Sequence, residues 1–508
     1  MDIGTYESKA CIIDENLKII RTAIVPHTLS IPYPGWAEHD AENVWWHDCV
    51  QLCRELLDNK VRAKLLAVGC SAIAPTVLPV DARGFPLRPA ILYGIDTRAY
   101  KEITEIEEKY GIERIKEKCW NALSTQSAGP KILWFIKNEP ALYKKTWKIM
   151  TATTYLVFKL TKAVVIDKYT AGAFSPMFNM NTLDWDEELA IVPRRLLPEL
   201  KWTTEIAGKV TKEAAAATKI PEGTPVVVGT ADAAAEFVSA GGGTAGDLMI
   251  MLGSTVFFIE QLAHPPQSTA LWNSVFLWPE CFCIAGGMAT GGALTRWFRD
   301  NFADEERLLE KTAGINAYES LWKRSAEVPA GGQGLLVFPY FSGERTPLND
   351  PAARGVILGL SLFHSKYHVY RALLEGIAFG IRHNLEYIDQ VLPPKRILVT
   401  GGGTKNQLWL KIIASIIARK LLVPPIRVGA SYGDAILAAI GINLITPDVL
   451  PHLFHETYDQ VDPEESLTQV YEQYYHIYRN AWDSIKEWVH KLAHLGGARN
   501  GKLGRNVA

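Results

Sequence analysis

Short apolar runs alternate with longer amphipathic stretches from Met1 to about Phe237. The apolar runs have the length and composition of strands, and the longer stretches repeat apolar residues at helical spacing. This rhythm predicts an α/β lobe built around a central sheet. The predicted strands include residues 10–13, 65–71 and 226–229, and the predicted helices include residues 43–58, 101–110 and 130–137.

A glycine-rich stretch at residues 241–246 interrupts the alternation, and strand signals resume at Leu248. A second α/β series then continues to about Ile442. Because 508 residues exceed one ordinary core, we predict two lobes, residues 1–243 and 244–495, with a boundary near 240–246. The second lobe ends in a long amphipathic helix, roughly residues 464–492, and we expect the Gly-, Arg- and Asn-rich tail 496–508 to be disordered.

One turn pattern occurs in both halves, at a chain reversal beside an apolar run of β type. The first copy is Asp2-Ile3-Gly4-Thr5 with Lys9 after it, and the second ends in Gly253-Ser254-Thr255. Such a turn directs backbone N–H groups and a hydroxyl into one concavity, which suits phosphate oxygens. Two facing copies would hold a nucleotide tail from both sides of a cleft. Each copy alone is also explained as a tight hairpin that needs a permissive residue.

A third glycine-rich turn, Gly401-Gly402-Gly403-Thr404, lies between a strand-like run and a helical stretch that starts at Asn406. Such a turn lets the backbone come close to a flat or anionic ligand. It lacks the lysine spacing of a Walker A loop, and a tight turn without a ligand remains the alternative. The pairs at 286–287 and 291–292, the latter beginning with Gly291, are candidates for the same cleft.

Asp232 is the candidate catalytic carboxylate. It follows the apolar strand 225–228 and the small residues Gly229-Thr230-Ala231, which leave room for a substrate. Since Ala233 and the residues after it favour a helix, Asp232 is equally explained as a helix N-cap.

Composition excludes several classes of protein. The net charge of −2 gives no electrostatic basis for binding nucleic acid or an anionic membrane. The chain has no apolar run of about 20 residues, which a bilayer-spanning helix needs, and no visible signal peptide. Seven scattered cysteines favour a reducing compartment, so we expect a cytoplasmic protein. Cys281 and Cys283 lie in a strand-like run without a second ligand pair, which does not favour a metal site.

Three tryptophans, Trp36, Trp45 and Trp46, lie in and just after the acidic segment 34–40. Aromatic rings beside carboxylates suit sugar binding. A packed loop explains the same cluster equally well.

Two long motifs resemble the signatures of the FGGY carbohydrate kinases. Residues 130–139, PKILWFIKNE, resemble the first signature, and residues 355–360 together with 368–375 resemble the second. The order of the two turns, Asp232 and the triple glycine is also similar to the family's order. The resemblance extends over nearly the whole chain.

The resemblance implies two ribonuclease-H-like lobes of the actin and hexokinase type, with ATP and a sugar in the cleft between them. It implies transfer of a phosphoryl group from Mg-ATP to a sugar or polyol hydroxyl, with Asp232 as the catalytic base. Asp2 would help to hold Mg²⁺ through water, with Asp232 as the second metal candidate. Members often form dimers, so a homodimer is also expected. The nucleotide candidates are Gly4, Thr5, Lys9, Gly253, Ser254, Thr255, Gly291, Gly401, Gly402, Gly403 and Asn406.

The loop 341–350, FSGERTPLND, and residues 87–92 with Asp96 and Arg98 resemble the xylulokinase branch. Two polar contacts of that branch are missing. Ala74 and Pro75 lie where a sugar-binding histidine is expected, and Ala233 replaces a common asparagine. We therefore expect a ketopentose such as xylulose or a related open-chain sugar, with gluconate and other polyols as alternatives. The candidate substrate contacts are Ala74, Pro75, Asp96, Arg98 and Asp232.

Family members usually carry several apolar residues before the first turn, whereas Met1 directly precedes Asp2 here. We therefore expect a short first strand, whose upstream extension would raise stability or activity. This short strand and the apolar sugar loop leave one alternative from another class, a nucleotide or sugar sensor without catalytic activity.

Overall fold

Two central sheets organise the computed structural model, which describes residues 1–268, 270–426, 428–454 and 457–503. The strands up to the first inter-lobe helix are β1 Asp2–Ile3, β2 Glu7–Ile13, β3 Ile19–Pro26, β4 Glu38–His39, β5 Ser71–Ala72, β6 Leu78–Val80, β7 Ala90–Ile91, β8 Lys148–Met150, β9 Val165–Asp167, β10 Phe178–Asn179, β11 Asp184–Trp185, β12 Glu199–Lys201, β13 Ile206–Lys209, β14 Pro225–Val227 and β15 Thr230–Ala231. The later strands are β16 Asp247–Leu252, β17 Val256–Leu262, β18 Trp272–Val275, β19 Phe282–Met288, β20 Leu336–Phe338, β21 Val356–Leu358, β22 Arg396–Thr400, β23 Leu421–Val423 and β24 Asp459–Val461.

Helices cover both sheets. Those of the first lobe are α1 His47–Leu56, α2 Asn59–Arg62, α3 Tyr100–Tyr110, α4 Ile112–Cys119, α5 Ala128–Asn138, α6 Pro140–Tyr143, α7 Ala152–Thr161, α8 Lys168–Gly172, α9 Lys212–Thr218 and α10 Asp232–Ser239. Those of the second lobe are α11 Gly292–Phe302, α12 Asp304–Ala313, α13 Ala317–Ser325, α14 Lys366–Val391, α15 Gln407–Ile417, α16 Ala430–Gly441 and α17 Glu465–Leu503.

The first sheet has the strand order β3-β2-β1-β5-β15. β1, β2 and β3 are antiparallel neighbours, whereas β5 and β15 run parallel to β1. β1 comprises two residues, and its Ile3 is fully buried between the neighbouring strands. The parallel arrangement brings the carboxyl ends of β1, β5 and β15 to one edge of the sheet, where the candidate residues of the first lobe lie.

The second sheet repeats this order as β19-β17-β16-β22-β23, with β18 and β24 added at its two ends. β16, β17 and β19 are antiparallel, and β22 and β23 run parallel to β16. The two sheets therefore share one topology, which confirms the expected pair of ribonuclease-H-like lobes.

Two crossing helices, α10 and α16, join the lobes. The helix α10 follows the last strand of the first sheet, yet its Phe237 packs in one apolar cluster with Met249 of the second sheet. A Cβ on Gly433 of α16 would lie 1.8 Å from the Ala235 carbonyl oxygen of α10. Only glycine therefore allows the backbones of the two helices to approach this closely.

Several predicted elements have different lengths in the structure. The predicted strand 65–71 is shorter, because only Ser71–Ala72 pairs as β5 and Val68 forms one isolated bridge to Val226. The predicted helix 464–492 is longer, since α17 runs from Glu465 to Leu503. The expected disordered tail therefore begins within α17, and residues 504–508 lie outside the described residues.

Within the described ranges, no helix is both long enough and apolar enough to cross a membrane. Cys281 and Cys283 are buried free thiols. In the same ranges, no three His, Cys, Asp or Glu side chains are grouped so that they would hold a metal ion.

Candidate active site

The carboxyl edge of the first sheet brings Asp2 and Asp232 together. Asp2 pairs in register with Ser71, and Thr230, two residues before Asp232, pairs with the same Ser71 on its other side. Asp232 is the first residue of α10, and its carboxylate accepts a hydrogen bond from the adjacent Ala233 N–H at 2.8 Å. Ala231 occupies the N-cap position, so capping does not explain the carboxylate.

Burial and neighbouring acidic groups raise the pKa of both carboxylates. Burial, together with the nearby charges of Glu236 and Asp434, raises the pKa of Asp232 to about 7. Burial and the charge of Asp232 also raise the pKa of Asp2 well above its usual value. Lys9, the candidate cation of the first turn, forms an ion pair with Glu7 at 2.6 Å. The Asp2–Asp232 pair thus offers clustered carboxylate oxygens, which fit a hard divalent cation that would displace their protons.

The two candidate phosphate turns are each closed by a hydrogen bond from their glycine N–H, over residues 4–7 in the first and over residues 253–255 in the second. The Gly4 N–H donates to the Glu7 carbonyl at 3.0 Å, and the Gly253 N–H donates to the Thr255 carbonyl at 3.0 Å. A segment at the start of α11 holds the second turn, because the Gly291 N–H donates to the Ser254 carbonyl at 2.9 Å. The structure therefore brings Gly253, Ser254, Thr255 and Gly291 together.

The triple-glycine turn lies against the second of these turns. Because β16 and β22 are parallel, Leu252 and the glycine turn share one sheet edge. Gly401 has φ +87°, and a Cβ on it would lie 2.7 Å from the Leu252 carbonyl oxygen. A Cβ on Gly403 would lie 2.7 Å from the Leu252 Cβ, whereas one on Gly402 would meet open space. Asn406 caps α15 by accepting a hydrogen bond from the Trp409 N–H at 3.0 Å.

Two histidines, the buried His39 and the half-buried His27, contact the first turn, and the sequence did not indicate them as site residues. The ring of His39 contacts the Thr5 carbonyl through Nε2 at 3.2 Å, while its Nδ1 accepts a hydrogen bond from the Trp45 indole at 3.1 Å. The Trp45 bond fixes the proton of His39 on Nε2, so Nε2 donates to the turn. Burial lowers the pKa of His39 to about 4, so the ring is neutral at physiological pH.

His27 contacts the adjacent carbonyl of the same turn. Its Nε2 lies 3.1 Å from the Gly4 oxygen, and its Nδ1 lies 2.8 Å from the Asp48 carboxylate. The Asp48 carboxylate also accepts a hydrogen bond from the Ser8 hydroxyl at 2.7 Å. The carbonyls of Gly4 and Thr5 are therefore each contacted by a histidine ring.

Two adjoining cavities lie beside the edge of the first sheet. The larger, of about 1550 Å³, separates the segment 120–126 from the second-lobe segment 342–351. The smaller, of about 150 Å³, contains Ala74, Pro75 and Ala231 in its wall. The cavities share Ser124, Gln126 and other wall residues. In the described part of the chain, no charged side chain lines the smaller cavity.

Asp96 and Arg98 lie in a buried ion-pair network. The Arg98 guanidinium donates to the Asp96 carboxylate at 2.7 Å and to Glu38 at 2.8 Å, and it stacks on the Trp36 ring at 3.9 Å from the ring centre. Asp96 also accepts a hydrogen bond from the Ala37 N–H at 2.7 Å. As far as the structure describes the chain, neither residue lines the two cavities. Both side chains therefore hold the segment 36–38, in which Trp36 packs on the Arg98 guanidinium. Their role as substrate contacts stays a prediction.

The loop 341–350 contributes Glu344 and Arg345 to the wall of the larger cavity. Glu344 accepts hydrogen bonds from the Ala289 N–H at 2.7 Å and from the Arg345 N–H at 2.8 Å. Burial raises the pKa of Glu344 to about 8 and lowers the pKa of Arg345. In the sequence this loop indicated only a family branch, because nothing local shows that it faces the other lobe.

Comparison with known proteins gives one family and several enzymes. Residues 1–239 match the N-terminal domain of the FGGY family of carbohydrate kinases, and residues 248–442 match its C-terminal domain. The gluconokinase of Bacillus subtilis is 26% identical over 478 residues, 92% of each chain. The xylulose kinase of Staphylococcus xylosus is 25% identical over 490 residues, 95% of this chain and 99% of that one. The crystal structure of xylulose kinase from Rhodospirillum rubrum superposes with a TM-score of 0.84 at 29% identity, covering 96% of this chain and 99% of that one.

Proposed function

Because the chain belongs to the FGGY family of carbohydrate kinases, we propose that it transfers the γ-phosphoryl group of ATP to a hydroxyl of an uncharged open-chain sugar. A ketopentose such as xylulose is the proposed substrate. The chain is a phosphotransferase with an alcohol group as acceptor, and enzymes of this family use ATP with a divalent metal ion. The proposal assigns sugar binding to the first lobe and nucleotide binding mainly to the second.

One observation carries the choice of substrate. The smaller cavity reaches Ala231, directly before Asp232, and the structure describes no charged side chain in its wall. A carboxylate or phosphate placed there would be desolvated without a counter-charge, which costs far more free energy than burying hydroxyl groups. This cavity therefore favours a neutral sugar next to Asp232.

In the proposed reaction, Asp232 accepts the proton of the attacking hydroxyl. Its pKa near 7 makes it a better base than an ordinary aspartate, and proton transfer occurs late, as the oxygen bonds to phosphorus. The turns at Gly4 and Gly253 would hold the phosphates, and the turn at Gly402 would border the adenosine. A divalent metal such as Mg²⁺, held near Asp2 and Asp232, would supply charge compensation. Closure of the lobes would exclude water.

A second candidate substrate is gluconate. Gluconokinases are among the similar enzymes, and the half-buried guanidinium of Arg345 faces the larger cavity, where a sugar carboxylate would be neutralised. Gluconate differs from a ketopentose because it carries a carboxylate at the end of the sugar that would lie away from Asp232.

The experiment is ADP release with Mg-ATP across pentuloses, hexuloses, gluconate, glycerol and other polyols. We expect the highest kcat/KM with a ketopentose. A higher kcat/KM with gluconate would replace the first candidate by the second, and turnover with none of the compounds would contradict the proposed activity.

The histidine support of the first turn gives a separate prediction. In His39→Phe, the Thr5 carbonyl loses its hydrogen bond, so we expect the KM for ATP to rise roughly five- to tenfold while the KM for sugar stays within twofold. Because His39 is neutral at physiological pH, this ratio should not change between pH 6 and 8. Steady-state kinetics with varied ATP measure it. His47→Phe is the matched control, since the exposed His47 contacts Asp48 without reaching the turn. Equal ATP constants in the two variants would refute the role of His39.

A further inference from the structure

The two carboxylate oxygens of Glu344 differ, because one accepts hydrogen bonds from the protein and the other has no partner among the described residues. Its Oε1 accepts both backbone hydrogen bonds, from Ala289 and Arg345. Its Oε2 is buried, and within the described ranges no group forms a hydrogen bond with it. Glu344 is only 6% exposed and lines the larger cavity. A buried polar atom without a partner costs free energy, so a ligand hydroxyl at this position would relieve that cost.

The neighbouring guanidinium is also without an acceptor. Among the described residues, no carbonyl or carboxylate forms a hydrogen bond or ion pair with the Arg345 side chain. Its Nη1 lies 3.8 Å from the Cβ that Gly287 would carry, so the guanidinium crosses the end of β19 at the cavity wall. Burial lowers the pKa of Arg345, and the nearby charges of Tyr93 and Glu344 compensate only part of this effect. A guanidinium in this state is a strong donor to ligand oxygens.

Hydrogen bonds fix the backbone of the loop that carries both side chains. The Thr346 hydroxyl accepts a hydrogen bond from the Gly287 N–H at 2.8 Å and donates one to the Asn384 side chain at 2.7 Å. The backbones of Glu344 and Asp350 exchange hydrogen bonds at 2.8 and 2.9 Å across the loop. Binding a ligand here therefore requires little ordering of the protein.

The position of Glu344 and Arg345 relative to Asp232 determines which part of a bound substrate these two residues would contact. The larger cavity shares Gln126 with the smaller one, and the smaller one reaches Ala231. A sugar whose reacting hydroxyl lies at Asp232 would extend from the smaller cavity into the larger one, toward the second lobe. In the first lobe, Ala74 and Pro75 present no side-chain donor or acceptor to it.

We propose that Glu344 and Arg345 form a substrate subsite, which binds oxygens at the end of the sugar remote from the phosphorylated hydroxyl. This inference rests on the proposed sugar kinase activity. It adds that residues of the second lobe help to determine which sugar is bound. The ligand chemistry is a hydroxyl, carbonyl or carboxylate oxygen that accepts hydrogen bonds from the guanidinium. Hydroxyl- and carboxylate-terminated sugars share this chemistry, and the experiment separates them.

The test compares the wild type with Arg345→Gln, Arg345→Lys and Glu344→Gln. For Arg345→Gln we expect the KM for the best sugar to rise at least about tenfold and the KM for ATP to stay within twofold, because a charge-assisted hydrogen bond is lost. Arg345→Lys should recover part of this loss. Arg354→Gln is the matched control, because the exposed Arg354 donates to the Pro351 and Ala353 carbonyls of its own loop. Thermal melting verifies that all variants fold.

Two kinetic outcomes would overturn the subsite. The first is a lower kcat with every sugar at an unchanged sugar KM, which would place the guanidinium on the transferred phosphoryl group. The second is wild-type kinetics in both Arg345 variants. A KM increase confined to gluconate identifies a carboxylate as the bound group, and an increase with the ketoses identifies hydroxyl or carbonyl oxygens.

If the wild type turns over no sugar, the activity proposal fails by itself. Calorimetric binding of xylulose and gluconate to wild type and Arg345→Gln then decides the subsite, and equal affinities would overturn it.

Discussion

Replacing Asp232 by Asn is expected to lower kcat by about 10³-fold, within the range usually found for loss of a general base. The amide retains the size of the side chain and its contact with the Ala233 N–H, but it cannot accept the proton of the sugar hydroxyl. Since it removes no phosphate contact, the affinity for metal-free ATP should change less than threefold. Single-turnover ADP formation and calorimetric ATP binding measure the two effects.

The same assignment predicts the pH dependence of the wild type. A base must be ionised to act, so kcat/KM for the sugar should fall as the pH decreases through about 7, the pKa to which burial raises Asp232. The residual rate of Asp232→Asn should lack this acidic limb. If the variant keeps more than a tenth of the wild-type kcat, or retains the limb, Asp232 is not the base.

Replacing Glu260 by Gln should make the protein more stable at alkaline pH. Glu260 lies in the middle of β17, is fully buried, and neither of its carboxylate oxygens has a partner among the described residues. Burial raises its pKa to about 9 from a usual value of 4.5. Between these values the folded state holds a proton that the unfolded state has released. The free energy of unfolding of the wild type should therefore fall by about 1.4 kcal/mol per pH unit from this group alone.

Glu260→Gln removes this titration, because an amide is neutral at every pH. The stability difference between variant and wild type should thus be small near pH 5 and reach several kcal/mol in favour of the variant near pH 8, by the same slope. Calorimetric melting at pH 5, 6.5 and 8 measures this trend. Glu222→Gln, at an exposed turn position, is the control. Parallel pH profiles of Glu260→Gln and the wild type would show that Glu260 is ionised in the fold.

The sequence determined the two-lobe organisation. Strand-length apolar runs, the glycine-rich break before Leu248 and the repeated Gly-Thr and Gly-Ser turns are local patterns. Local patterns report the faces of strands and helices and the positions that need glycine. They were therefore sufficient to predict the two lobes, and the long signature motifs indicated the family. The same patterns left the lengths of β5 and α17 in error, because pairing with distant segments decides where a strand or helix ends.

Only the tertiary structure decided which polar side chains meet. The sequence predicts Asp96 and Arg98 as substrate contacts, and the structure shows that Arg98 forms ion pairs with Asp96 and with Glu38, which lies 60 residues before it. His39 lies 34 residues from Thr5, and Glu344 lies 55 residues from Ala289, yet both pairs form hydrogen bonds at the site. Such contacts depend on strand order and on how the lobes face each other across α10 and α16. The spacing of residues along the chain shows neither the strand order nor the way in which the lobes face each other. The sequence therefore indicated candidate reacting groups but not the side chains that hold them in place.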